Sequence, residues 1–200
     1  MKSVTKFLPV LLFLTGCTVS KVYPEKYYTE NKELLHQTES IYREASDKKT
    51  FALGFTSLDF SSISIELKTD TVRYIYDFQV EDKRMNDTLY KLGYDVATIQ
   101  TVITNMKKVK ASWINTLDYY VDGNRQTLSF LSVPVKQFSI FPLMQKRKYY
   151  VYTFYNQQQA YDTAGRLLDK KNTRQLRKVN GQHFFRINDR VSYTVSGKFR

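Results

Sequence analysis

Ser62-Ile63-Ser64-Ile65-Glu66-Leu67-Lys68 is followed, after Thr69-Asp70, by Thr71-Val72-Arg73-Tyr74-Ile75-Tyr76-Asp77-Phe78. In the first run Ile63, Ile65 and Leu67 alternate with Ser64, Glu66 and Lys68. In the second, Val72, Tyr74, Tyr76 and Phe78 alternate with Arg73, Ile75 and Asp77. A period of two sends successive side chains to opposite faces of a strand, so each run has one markedly more apolar face. Two such runs joined by a short polar link predict an antiparallel hairpin.

The same reading extends in both directions. Phe51 to Phe55 is expected to be a preceding strand. Residues 30–46 carry Leu34, Thr38, Ile41 and Ala45 along one side, widened by Leu35 and Tyr42, which predicts a helix packed on the sheet. Glu30 and Glu33 would then fall in its first turn. Residues 84–110 repeat Leu92, Val96, Ile99, Ile103 and Met106 at helical spacing, with Gly93 expected to divide them and Asp95 to cap the second piece. Lys107, Lys108 and Lys110 would compensate its C-terminal dipole. Beyond it, WINTLDYYV and RQTLSFLSV flank Asp122-Gly123-Asn124, a strong hairpin signal. Residues 137–141 and 148–156 read as further strands, as do HFFRI and VSYTVSGKF on either side of a turn at Asn188-Asp189. Residues 157–181 are the least periodic and predict a long loop with a short helix near 173–178. The order of helix, strands, helix, strands implies one α+β domain over 30–200, a mostly antiparallel sheet with two helical regions packed on it.

The chain opens MKSVTKFLPVLLFLTGC. Lys2 and Lys6 precede an apolar run from Phe7 to Leu14, too short to span a bilayer and of the size of a secretory signal core. Leu14-Thr15-Gly16-Cys17 then resembles the bacterial lipobox. The resemblance covers residues 1–17 only. It implies cleavage before Cys17, acylation of its thiol and new amino group, and attachment to the membrane through that lipid. Residues 1–16 are thus expected to be a signal peptide, and 17–29 an acylated cysteine with a short polar tether. Cys17 is the chain's sole cysteine, and acylation accounts for it without a disulfide partner. The resemblance places the protein in the bacterial cell envelope, with the periplasmic face of the outer membrane favoured: residues 18–29 lack the acidic run that directs some lipoproteins to the cell exterior.

Charge is distributed unevenly. Residues 17–135 hold 15 Lys and Arg against 16 Asp and Glu, whereas residues 136–200 hold 14 against 3. A basic C-terminal third points to an anionic partner. Lys146, Arg147, Lys148, Lys170, Lys171, Arg174, Arg177 and Lys178 are the candidate contacts. In an envelope, the partners that fit are an anionic lipid, a glycan or an acidic protein, and nucleic acid fits less well. A solvated basic face that aids solubility is the plain alternative.

Catalytic signals are weak. His36 and His183 are the only histidines, each expected to be structural, and no His or Cys spacing suits a metal. Ser46-Asp47-Lys48-Lys49 fits S-x-x-K, which resembles the nucleophile pattern of penicillin-recognising enzymes, without its partner motifs S-D-N and K-T-G. The acidic pairs Asp118/Asp122 and Glu81/Asp82 carry no further mark of catalysis. No cofactor is expected. Tyr149, Tyr150, Tyr152 and Tyr155 occupy both faces of one strand, which predicts that the strand is covered on both. The function expected is therefore a non-catalytic, membrane-anchored lipoprotein that binds another envelope component, in an accessory or assembly role such as a secretion machine. Two rivals stand beside it: a lipid- or glycan-binding lipoprotein with an aromatic pocket, and an envelope hydrolase using Ser46 or an acidic pair.

Overall fold

A computed structural model describes residues 19–69, 71–121, 124–135, 148–168 and 183–197. The strand expected at 137–141 and the short helix near 173–178 lie outside them. The described elements are α1 (Val19–Lys48), β1 (Phe51–Phe55), β2 (Ser62–Lys68), β3 (Arg73–Gln79), α2 (Lys83–Lys91), α3 (Val96–Lys108), β4 (Trp113–Val121), β5 (Asn124–Pro134), β6 (Tyr149–Tyr155), β7 (Phe185–Asn188) and β8 (Val191–Ser196). The fold is α+β. The strands form one eight-stranded sheet in the order β3-β2-β1-β4-β5-β6-β8-β7, with every described ladder antiparallel.

The opening hairpin forms as its alternation dictates: Ile65 stands opposite Tyr76 and Leu67 opposite Tyr74. Ile63, Ile65 and Leu67 are fully buried against the helices. Gly93 does divide the second helical region. It sits at φ +70°, a left-handed conformation that costs glycine little. Asp95 caps α3 by accepting from Thr98 N–H, and Asp82 caps α2 in the same way through Arg84 N–H. Strand β6 is buried along its whole length. Tyr150, Tyr152 and Phe154 enter the main core beneath the helices, while Tyr149, Val151 and Tyr155 join a second core on the opposite face with Trp113, Phe130 and Phe184.

Helix α1 differs from expectation at its N-terminal end. It is helical throughout the described part of the segment expected to be a tether, from Val19 onward. Glu30 and Glu33 consequently lie in mid-helix and do not serve its N-terminal dipole. Pro24 lies inside the helix, where it cannot donate the backbone bond to the carbonyl four residues earlier. Packing offsets that loss: Tyr28 is buried, Tyr27 stacks on Tyr152 with ring centroids 6.1 Å apart, and Tyr152 OH donates to the Pro24 carbonyl at 2.8 Å. The most buried row of α1 is Tyr28, Leu35 and Tyr42, spaced by two turns. Ile41 and Ala45, half-buried, turn towards α3, where with Thr98 and Ile99 they line a cavity of about 230 Å³.

Candidate functional site

Of the residues singled out from the sequence, Lys148 is described, and it is exposed. Its carbonyl accepts from Val135 N–H as the chain enters β6. Cys17, Lys146, Arg147, Lys170, Lys171, Arg174, Arg177 and Lys178 lie outside the described residues.

The weaker catalytic candidates are engaged in structure. Ser46 is buried at 4% exposure and faces Thr116, with 3.5 Å between their hydroxyl oxygens. Lys49 is not its base: the amine donates to the Leu92 carbonyl and lies 4.7 Å from the centre of the Tyr94 ring. The S-x-x-K spacing therefore ends one helix and holds the loop after α2. Asp82 is held by Arg84, whose guanidinium and backbone keep its carboxyl below the usual range. Asp118 accepts from Arg125 at 2.8 Å and from Thr127 at 3.0 Å, and Asp122 lies outside the described residues. His36 is half-buried, its Nε2 2.6 Å from Tyr28 OH and its ring edge-on to Phe154 at 5.3 Å. Burial first, then the charge of Lys32, lowers its pKa. Asn188 donates to the same Tyr28 oxygen at 3.2 Å, so His36 belongs to a polar clasp between α1 and the turn before β8. His183 is exposed beside Phe185. Among the described residues no three His, Cys, Asp or Glu side chains gather to hold a metal, and no helix is long and apolar enough to cross a membrane.

The site that sequence reasoning missed lies where the sheet divides. Strands β1 and β4 pair at only two positions, Leu53 with Ile114 and Gly54 with Trp113. From Asn115 to Val121, β4 is paired with β5, while β1 runs on with β2. The two halves of the sheet therefore part beyond Ile114. The wedge between them is a cleft of about 900 Å³. One wall carries Asp118, Arg125 and Thr127, the opposite wall Glu66, Lys68 and Arg73, and the C-terminal turn of α1 closes one end with Ser46 and Asp47. Each wall holds an ion pair, Asp118 with Arg125 and Glu66 with Arg73. Asn115 contributes to the opening: its side chain accepts from Thr116 N–H at 2.7 Å, occupying a backbone donor at the edge of β4. Beneath, Tyr42 OH donates to the Phe51 carbonyl, and full burial holds its phenol well above the usual range.

Chemically the cleft is polar and charge-balanced. It offers hydroxyls, carboxylates and guanidinium groups, and among the described residues Phe51 is the one aromatic on its lining. Its described lining is polar where a lipid-binding reading asks for aromatic side chains. Nothing in the local sequence marks it, because it arises from a pairing between strands some sixty residues apart that stops early.

Compared with known protein families, curated proteins and solved structures, the chain matches none.

Proposed function

We propose that this protein is a non-catalytic lipoprotein of the bacterial envelope, held by lipid on Cys17 and binding another envelope component. The observation that carries the reading joins sequence and fold. The lipobox-like Leu14-Thr15-Gly16-Cys17 ends two residues before Val19, and α1 is already helical at Val19. On this reading there is almost no slack between lipid and domain. The helix is a strut of 30 residues, about 45 Å long. Its first described side chains are fixed to the sheet and to the end of α3, since Tyr27 OH donates to the Val109 carbonyl and Tyr152 OH to that of Pro24. Lys148 lies at the same end of the domain, four residues before Tyr152, whose hydroxyl reaches Pro24. An exposed cation there suits an anionic headgroup or an acidic partner at the membrane surface, where each contributes about 1 kcal/mol. Lys146 and Arg147 directly precede it in sequence.

Two measurements test this. Cys17→Ser is expected to abolish labelling by a fatty-acid analogue and to release the protein from membranes; persistent labelling would overturn the anchor. Affinity capture from native membranes, comparing wild type with charge reversals at Lys146, Arg147 and Lys148, is expected to lose partners or lipid in the variant. An unchanged set would remove the basic surface from the proposal. A second reading, a lipoprotein that holds a soluble ligand, is favoured by the cleft itself, whose paired charges and hydroxyls suit a polar ligand such as a glycan better than an acyl chain.

A further inference from the structure

The two edges of the sheet are finished differently. At one edge β7 has four residues, shifts register between Arg186 and Asn188, and is bridged by Arg166 at Phe185. A short, irregular, covered strand is how an edge is kept from pairing with another chain. At the other edge β3 has seven residues, all in unbroken register with β2. It contains no proline, no lysine and no bulge. Ile75 is 57% exposed, Val72 45% and Tyr74 39%.

The hydrogen-bond phase of β3 follows from the ends of the hairpin. Thr69 N–H donates to the Val72 carbonyl and Val80 N–H to that of Ser61. With Leu67 opposite Tyr74, Ile65 opposite Tyr76 and Ile63 opposite Phe78, the alternation of an antiparallel ladder directs the backbone groups of Tyr74, Tyr76 and Phe78 towards β2. Those of Arg73, Ile75 and Asp77 therefore point outward.

We propose that the β3 edge pairs with the β3 edge of a second copy of this chain, antiparallel and centred on Ile75. The two eight-stranded sheets become one of sixteen strands. This centre sets Ile75 opposite Ile75 and Arg73 opposite Asp77 twice over, so the outward-facing residues Arg73, Ile75 and Asp77 meet one another with opposite charges matched, and Gln79, the fourth outward position of β3, falls opposite Thr71. Centres one residue to either side set Arg73 or Asp77 against Ile75. Centres on Arg73 or Asp77 set like charges face to face, which opposes pairing. Arg73 is already steadied by Glu66 on the face where the second copy's Asp77 arrives. On the other face Tyr74, Tyr76 and Phe78 are stacked at 6.1 and 5.9 Å. The same register lays Tyr74 of each copy against Tyr76 of the other, continuing that aromatic ladder across the seam. A seven-residue edge is a small interface, so the association is weak in dilute solution and favoured at high local concentration. The proposal does not depend on the lipid anchor.

The test uses two differently tagged copies of the full chain, co-expressed and captured through one tag. Wild type is expected to capture wild type. Arg73→Asp with itself, and Asp77→Arg with itself, each place two like-charge pairs in the seam, and capture is expected to fall about tenfold or more. Arg73→Asp mixed with Asp77→Arg restores both pairs, and capture is expected to return to near the wild-type level. Ile75→Pro removes only an outward N–H and is expected to abolish capture while leaving the thermal melting of the monomer close to that of wild type. Failure of wild type to capture itself overturns the proposal. So does capture insensitive to the charge variants, which places any contact elsewhere, and so does a mixed pair no better than its parents, which excludes this register.

Discussion

Replacing Tyr27 and Tyr152 by phenylalanine keeps both stacked rings and removes two hydroxyls. One donates to the carbonyl of Val109, at the C-terminal cap of α3, and the other to the carbonyl of Pro24. Burial raises the pKa of both phenols, that of Tyr27 to about 12, so each is a neutral donor at any physiological pH. A net hydrogen bond of this kind contributes about 1 kcal/mol. The two rings touch, so the losses need not add, but a combined cost of about 2 kcal/mol is the working value. The cost should fall on one place. Residues 23–30 lie in the N-terminal part of a long helix, and their described contacts with the rest of the fold include these hydroxyls, the buried Tyr28 ring and the His36 clasp. Local opening of that segment is expected to become about 30-fold more frequent. Hydrogen exchange on the double variant Tyr27→Phe/Tyr152→Phe reads this directly: protection falls over 23–30 and is kept over 35–48 and β5. Unchanged protection over 23–30 would refute the hydroxyl latch. An equal fall in every segment would show that α1 opens only with the whole domain.

Further outcomes follow from the titratable groups and from one glycine. His36 has a lowered pKa, so it contributes stability that is present above its unfolded value of 6.5 and is lost as the pH falls through and below that value. Urea midpoints are expected to drop on acidification from about pH 6.5, and His36→Gln should flatten that part of the profile. Glu39 is buried on α1, with Arg43 Nε 3.4 Å away and no hydrogen bond to its Oε1. Desolvation raises its pKa against the opposing pull of Arg43, so its contribution is fully present below 4.5 and lost as the pH rises through the folded value. Glu39→Gln is expected to raise the melting temperature at neutral pH and to make little difference below pH 4.5. Gly93→Ala places a Cβ at φ +70°, a conformation that L side chains rarely adopt, while its contact with the Lys49 amine at 3.4 Å is ordinary; a loss of about 1 kcal/mol, or roughly 2–4 °C in Tm, is expected from the backbone.

What the sequence made legible was local. Alternation over 62–78 located β2, β3 and their pairing, because hydrophobic period and hairpin connection act within a few residues. Asp95 and Gly93 were legible for the same reason: a cap and a left-handed turn are short-range requirements. The N-terminal part of α1 was not, since the pattern of a polar segment with one proline is overridden by Tyr27, whose partners, Val109 and Tyr152, lie 82 and 125 residues away. Ser46 and Lys49, whose S-x-x-K spacing was a weak catalytic signal, are parted by the end of α1 at Lys48, and the lysine turns to the loop after α2. The cleft was invisible because its cause is a ladder that stops after Leu53, and no residue type announces where two strands cease to pair.

The two ends of α1 suggest how the parts would serve one another on the anchored reading. Ser46 is 27 residues beyond Val19, about 40 Å along the helix. If lipid on Cys17 holds the first turn at the bilayer, the strut carries Ser46, Asp47 and the mouth of the cleft away from the membrane surface, while Lys148 stays near it. A ligand or partner in the cleft is then met at a height set by the helix, which a flexible tether would not fix. The latch of Tyr27, Tyr28 and Tyr152 gains a role by the same reasoning. Without it the first turns would swing, and the height and tilt of the cleft would vary with them. On that reading, a helix this long, held to the sheet near Pro24 by three aromatic rings, suits a protein whose position above a membrane matters to its partner.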